Sequence, residues 1–154
     1  MSSRFFALVS CGALLAASLG GCGQSEKDKY IDAYSPLNTR LIKVNDDLAR
    51  TINGSQNKTN AELAAGFAPL GKKLRTLSRQ IGALDTPTDL KQESKALTDT
   101  LDTTREDVDG VVAAARKEDA RALAAVSMRL PDKANTISTK ANGLAQATGA
   151  RVGG

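Results

Sequence analysis

The chain contains no histidine and no tryptophan, only two cysteines, and 3% aromatic residues in a length of 154. Without histidine there is no His-based acid–base chemistry, no Ser-His or Cys-His nucleophile pair, no His-ligated haem, and little scope for zinc. The Glu-x-x-His pairs of di-iron bundles and the Cys-x-x-Cys-His haem attachment are excluded with it. With so few rings, a core has to be assembled from Leu, Ala, Val and Ile. Strand signals are scarce as well, because β-branched residues form no alternating runs. Charge of one sign is also lacking: 21 Lys and Arg stand against 17 Asp and Glu, a net +4. That excess is small and dispersed, so no nucleic-acid partner is expected. What remains is 41% hydrophobic and 25% charged residues, the balance of a folded soluble domain. The length allows one such domain.

One long apolar run exists, from Phe5 to Leu19, behind the single positive charge of Arg4. It is short for a membrane span, which takes about 20 apolar residues, and has the build of a secretory signal. It ends in Leu19-Gly20-Gly21-Cys22, and the polar Gln24-Ser25-Glu26-Lys27 follows. The sequence Leu-small-small-Cys resembles the lipobox of bacterial lipoproteins, although Gly20 stands where Ala or Ser is more usual. The resemblance covers residues 1–22. It implies that residues 1–21 are a signal peptide and that the Cys22 thiol carries a diacylglyceryl group. It also implies a lipid-anchored protein on the extracytoplasmic side of the cell membrane, or on the outer membrane where the envelope has two. Residues 22–25 are then a short tether. Cys11 leaves with the signal, so the mature chain has no disulfide and depends on packing.

Four stretches carry helical periodicity, with three short breaks between them. Tyr30, Tyr34, Leu37, Leu41, Val44 and Leu48 recur at spacings of 4 and 3, one face of a helix. Pro36 interrupts the residues and not the phase. This predicts a continuous helix bent at Pro36, in preference to one that starts there behind a Ser35 cap. Asn53-Gly54 ends the stretch, with Gly54 able to turn left-handed. Thr59-Asn60-Ala61-Glu62 reads as a capping box. Leu63, Phe67, Leu70, Leu74, Leu77, Ile81 and Leu84 then form the cleanest seam, with a bend expected near Pro69. Asp85-Thr86-Pro87 is a turn, with Thr86 as N-cap and Pro87 at the first helical position. The third seam is Leu90, Leu97, Leu101, Val108, Val111 and Ala115, weakened by Ser94 and Thr104. After Lys117-Glu118, Asp119 is the N-cap of the fourth stretch. There Leu123, Leu130, Ala134, Ile137, Ala141 and Leu144 are in phase, with a bend expected at Pro131. The expected fold is all-α: an antiparallel up-down-up-down four-helix bundle with proline-bent helices over 26–149. Residues 150–154 are expected to be a flexible tail.

Charge fits this order, since the second stretch is basic (Lys72, Lys73, Arg75, Arg79) and the third acidic. The third carries Asp89, Glu93, Asp99, Asp102, Glu106, Asp107 and Asp109. These acids are scattered around the helix rather than set in a ligand loop, so they read as a solvated face, not a metal site. Asn53-Gly54-Ser55 and Asn57-Lys58-Thr59 match the glycosylation pattern but have the composition of any polar turn. Ser94-Lys95 and Ser138-Thr139-Lys140 lie mid-helix, without a Gly-rich oxyanion loop. Tyr30 and Tyr34 sit one turn apart near Cys22, either as the end of the core or as an interfacial anchor. No catalytic residue, metal site or cofactor is expected. The expectation is a non-catalytic envelope lipoprotein that works by contact with an unknown envelope protein, or as a structural spacer. The alternatives are a module for a small apolar ligand or lipid held inside the bundle, and an envelope immunity or exclusion factor.

Overall fold

The computed structural model describes residues 25–149. The signal peptide, Cys22 and the tail 150–154 lie outside the described residues. Those residues form a helical bundle, and no strand occurs among them.

Helix α1, Glu26–Asn53, begins at a capping box. The Ser25 hydroxyl accepts the Asp28 N–H at 3.1 Å, and the Asp28 carboxylate accepts the Ser25 N–H at 3.3 Å. The helix runs through Pro36 without interruption and buries Tyr30, Tyr34, Leu37, Leu41, Val44 and Leu48, the same six residues as the spacing predicts. Gly54, expected to turn left-handed, stays right-handed at φ −86°. Ser55 closes this end instead, its N–H and hydroxyl both donating to the Ile52 carbonyl. Helix α2, Asn60–Gly82, opens on the Thr59–Glu62 capping box and runs through Pro69. Phe67, Leu70, Leu74, Leu77 and Ile81 are buried along it.

The next turn departs from expectation. Thr86 caps nothing, because its hydroxyl donates back to the Leu84 carbonyl at 3.2 Å. Pro87 is extended and leads into a single 3₁₀ turn, Thr88–Leu90, before α3, Lys91–Arg116. The tighter turn delivers Leu90 into the core, where it is buried. Along α3 the two polar seam positions are buried with the rest. Thr104 is fully enclosed, and its hydroxyl donates to the Thr100 carbonyl at 2.7 Å, so no polar group is left without a partner there.

The fourth stretch is two helices, not one bent helix: α4, Ala120–Ser127, and α5, Leu130–Thr148. Asp119 caps α4, its carboxylate accepting the Ala122 N–H at 2.9 Å. Pro131 explains the break. A continuous helix would need a Pro131 N–H bonded to the Ser127 carbonyl, and proline has none and crowds that oxygen. Pro36 and Pro69 impose the same loss, yet α1 and α2 continue through the ring, with buried residues on both sides of it. Helix α4 buries no residue completely, so nothing holds it in line, and the chain restarts with Pro131 in the first turn of α5.

The most extensive helix interface is α2 with α3; α3–α5, α5–α1 and α1–α2 complete the ring, and α4 lies against α3. Gly71 lets α2 and α3 meet closely, since a Cβ there would stand 2.6 Å from an Asp109 carboxylate oxygen. On α5, Ala134, Ala141 and Ala145 are buried beside Leu130, Ile137 and Leu144. Buried aliphatic residues from α1, α2, α3 and α5 join into one core cluster.

Leu74 is fully buried mid-seam, so Leu74→Ala is expected to cost about 2–5 kcal/mol in urea denaturation. Lys73→Ala, one residue away in a surface ion pair, is expected to cost no more than about 1 kcal/mol. Equal costs would mean that the buried face is misassigned. Glu118 is exposed and adopts φ 56°, a left-handed backbone that L side chains resist. Glu118→Gly is therefore expected to stabilise the bundle by about 1 kcal/mol, and a loss of stability would contradict this turn geometry.

Candidate functional site

The residue types singled out from sequence are mostly absorbed into structure. Ser94 is buried in the α3 seam. Ser138 accepts a hydrogen bond from the Asn45 amide at 2.9 Å, which ties α5 to α1. Neither serine stands in a cleft with a lysine. Tyr30 and Tyr34 are both buried, stacked with centroids 5.8 Å apart and planes within 6°. They close one end of the core and do not project outward as an interfacial anchor. Burial pushes the Tyr34 phenol well above its ordinary range, and its hydroxyl donates to Asn38 at 3.3 Å.

Several acids of α3 are engaged by bases. Asp99 meets Lys95 at 2.6 Å, Asp107 meets Arg129 of the turn before α5 at 2.6 Å, and Asp109 meets Arg105 at 2.8 Å. Only Arg75, 3.5 Å from Asp109, carries the expected basic–acidic attraction from α2 to α3. Among the described residues no group of three or more His, Cys, Asp or Glu is placed to hold a metal ion. No helix among them is long and apolar enough to cross a membrane.

A groove between α1 and α2 joins two of the surface openings. Its wider bay, about 590 Å³, lies toward the Gly54–Thr59 loop, with Leu63 and Leu70 inside and Arg50, Lys58 and Glu62 around it. Its narrower bay, about 350 Å³, lies toward Arg40 and Gln80. Lys73 lines both bays, and its ammonium reaches across from α2 to the Asp47 carboxylate of α1 at 3.1 Å. Asp47 also pairs with Arg50 one turn on and lies 3.9 Å from Lys43. Three bases thus converge on one half-buried carboxylate. Hydrogen bonds from Arg50 first, and then Lys73, hold the Asp47 carboxyl below the ordinary aspartate range. The sequence offered no signal for this site. Asp47 and Lys73 become neighbours only once the phases of α1 and α2 are fixed against each other.

A carboxyl with a depressed pKa contributes stability above its unfolded pKa, near 3.9, and loses that contribution as pH falls through the folded value. Asp47→Asn is therefore expected to be less stable than the parent at neutral pH. The gap should narrow below about pH 3.9, as the parent's own Asp47 takes up its proton. Urea denaturation of both proteins across that range checks it. A gap that stays constant or widens in acid would contradict the ion-pair cluster.

With this geometry in hand, comparison against protein-family models, curated proteins and solved structures finds no match to the chain.

Proposed function

We propose that the protein is a lipid-anchored envelope module, non-catalytic, held outside the cell membrane through Cys22, which works by contact with another envelope protein. The observation that carries the reading is where the lipobox-like cysteine stands relative to the fold. Cys22 precedes the Ser25 N-cap of α1 by three residues, so a lipid on that cysteine would be joined to the first helix by a very short tether. The described residues share one core cluster drawn from α1, α2, α3 and α5.

An antiparallel up-down-up-down course is supported by residue pairs whose numbers rise on one helix as they fall on the next. Arg40 meets Gln80 and Asp47 meets Lys73; Gly71 faces Val108 and Gly82 faces Thr98; Thr103 meets Lys133 and Asp107 meets Arg129. Three residues span at most about 10–11 Å when extended. A tether of that length keeps the start of α1 near the headgroups, together with the turn at 83–90 and the end of α5. The 54–59 loop, the 117–119 turn and the wider bay of the α1–α2 groove then face away from the membrane. A partner in the envelope meets that end first.

The contact surface is polar and grooved. Ile42 and Met128 are the large hydrophobic side chains exposed among the described residues, and they form no stripe. The described openings lie between helices at the surface, which supports contact over a ligand enclosed within the bundle.

Cys22→Ala tests the anchor. Metabolic labelling with a radioactive or clickable fatty acid is expected to mark the parent and not the variant. The variant is expected either uncleaved or released from the membrane fraction. A variant acylated and processed like the parent would refute the lipoprotein reading.

A further inference from the structure

The narrower bay of the α1–α2 groove combines an apolar floor with a cationic rim. Its floor is apolar: Val44 and Leu77, both core residues, meet there, and the aliphatic stems of the surrounding lysines extend the apolar wall. Its rim is cationic, with Arg40 and Lys43 from α1 and Lys72 and Lys73 from α2. No carboxylate lines it. Elsewhere on the bundle Lys and Arg commonly meet acids, as at Lys58–Glu62, Lys95–Asp99 and Arg129–Asp107. Here Lys43 and Lys73 turn to Asp47 at the end of the bay. Arg40 donates only to the neutral Gln80 amide, at 3.0 Å, and Lys72 enters no ion pair among the described residues. Two cations are thus left beside an apolar slot with no negative charge to meet them.

We propose that this bay binds an anionic single-chain amphiphile of the fatty-acid class. The carboxylate meets Arg40, the start of the acyl chain lies on Val44 and Leu77, and Lys72, about eight residues along the antiparallel register, adds positive potential at the other end of the bay. A charge-assisted hydrogen bond from the guanidinium fixes the head, and the chain gains from leaving water. The bay holds about 350 Å³. At ~30 Å³ per water that is room for about ten small heavy atoms, a head and a short length of chain, with the remainder leaving through the open mouth. A free anion would leave the apolar floor uncovered. An acidic helix needs a long continuous trough, and the Asp47–Lys73 bridge closes this one seven residues on from Arg40, about 10 Å or two helical turns. The binding requires no lipid on Cys22, so it stands or falls separately from the anchor.

The test uses the full chain, held in nanodiscs of zwitterionic lipid, and a twelve-carbon fatty acid carrying a photoreactive diazirine. Crosslinks are expected in the peptides containing Val44 and Leu77. Unlabelled dodecanoate should compete them away, while dodecyltrimethylammonium and inorganic phosphate should not. The pair Arg40→Gln with Lys72→Gln should lower crosslinking at least about tenfold. Thr76→Glu, an exposed change at the bay that supplies a carboxylate from the chain itself, should do the same. Circular dichroism on the same samples should show unchanged helix content. Competition by the cationic amphiphile would reduce the bay to a greasy surface, and competition by phosphate to a plain anion site. Crosslinks spread over all helices, or undiminished in the variants, would also overturn the proposal.

Discussion

Burial of one aliphatic seam per long helix is the constraint on which everything else in this bundle depends. There is no disulfide within the described residues, the three rings among them are few, and the ion pairs are on the surface, where each contributes about 0–1 kcal/mol. Leu48, Leu74, Ile81, Leu97, Leu101 and Leu144 are fully enclosed, and their alternation by three and four residues sets the rotation of every helix about its axis. Once those rotations are fixed, the polar geography follows. Asp47 falls opposite Lys73, Arg75 opposite Asp109, and Asn45 opposite Ser138. The α1–α2 groove is a by-product of the same rotations, since its apolar floor is the outer edge of the core.

The seams were legible because burial is periodic and periodicity survives in a sequence. Pro36 and Pro69 left the phase intact, and the helices do run through them. Capping was legible where it is local, as at Thr59–Glu62 and Asp119, while the Ser25–Asp28 box was hidden by its place beside the signal-like segment. What could not be read was anything decided by the absence of a neighbour. Pro131 looks like Pro69 in sequence, and its different outcome comes from how little α4 buries, a property of the assembled bundle. Thr86 has the chemistry of a cap, yet its hydroxyl is taken by Leu84 because Leu90 must swing inward.

The groove was illegible for a related reason. Its four cations come from two helices and stand in no motif; Lys43 and Lys72 are 29 residues apart in the chain. Reading α2 as basic and α3 as acidic suggested that the two signs would meet across that interface. Instead α3 satisfies much of its charge within itself and with Arg129, which leaves part of the basic character of α2 turned toward α1. The cationic rim therefore results from where the acids went as much as from where the bases are.

Helix α4 gives the molecule a seam of weakness. Eight residues with no fully buried side chain, bounded by the left-handed Glu118 on one side and the Met128–Arg129 break on the other, have little to lose by opening. Segments of this kind come apart far more often than the whole protein does, because their opening exposes little apolar surface. The joint between α3 and α5 can therefore act as a slack link. Amide protons there exchange ahead of those in the leucine seams, and an added protease finds its first foothold at Ala120–Ser127. Helices α1, α2, α3 and α5 keep their shared core when that link is cut, so a nicked chain can persist as two fragments held by packing alone.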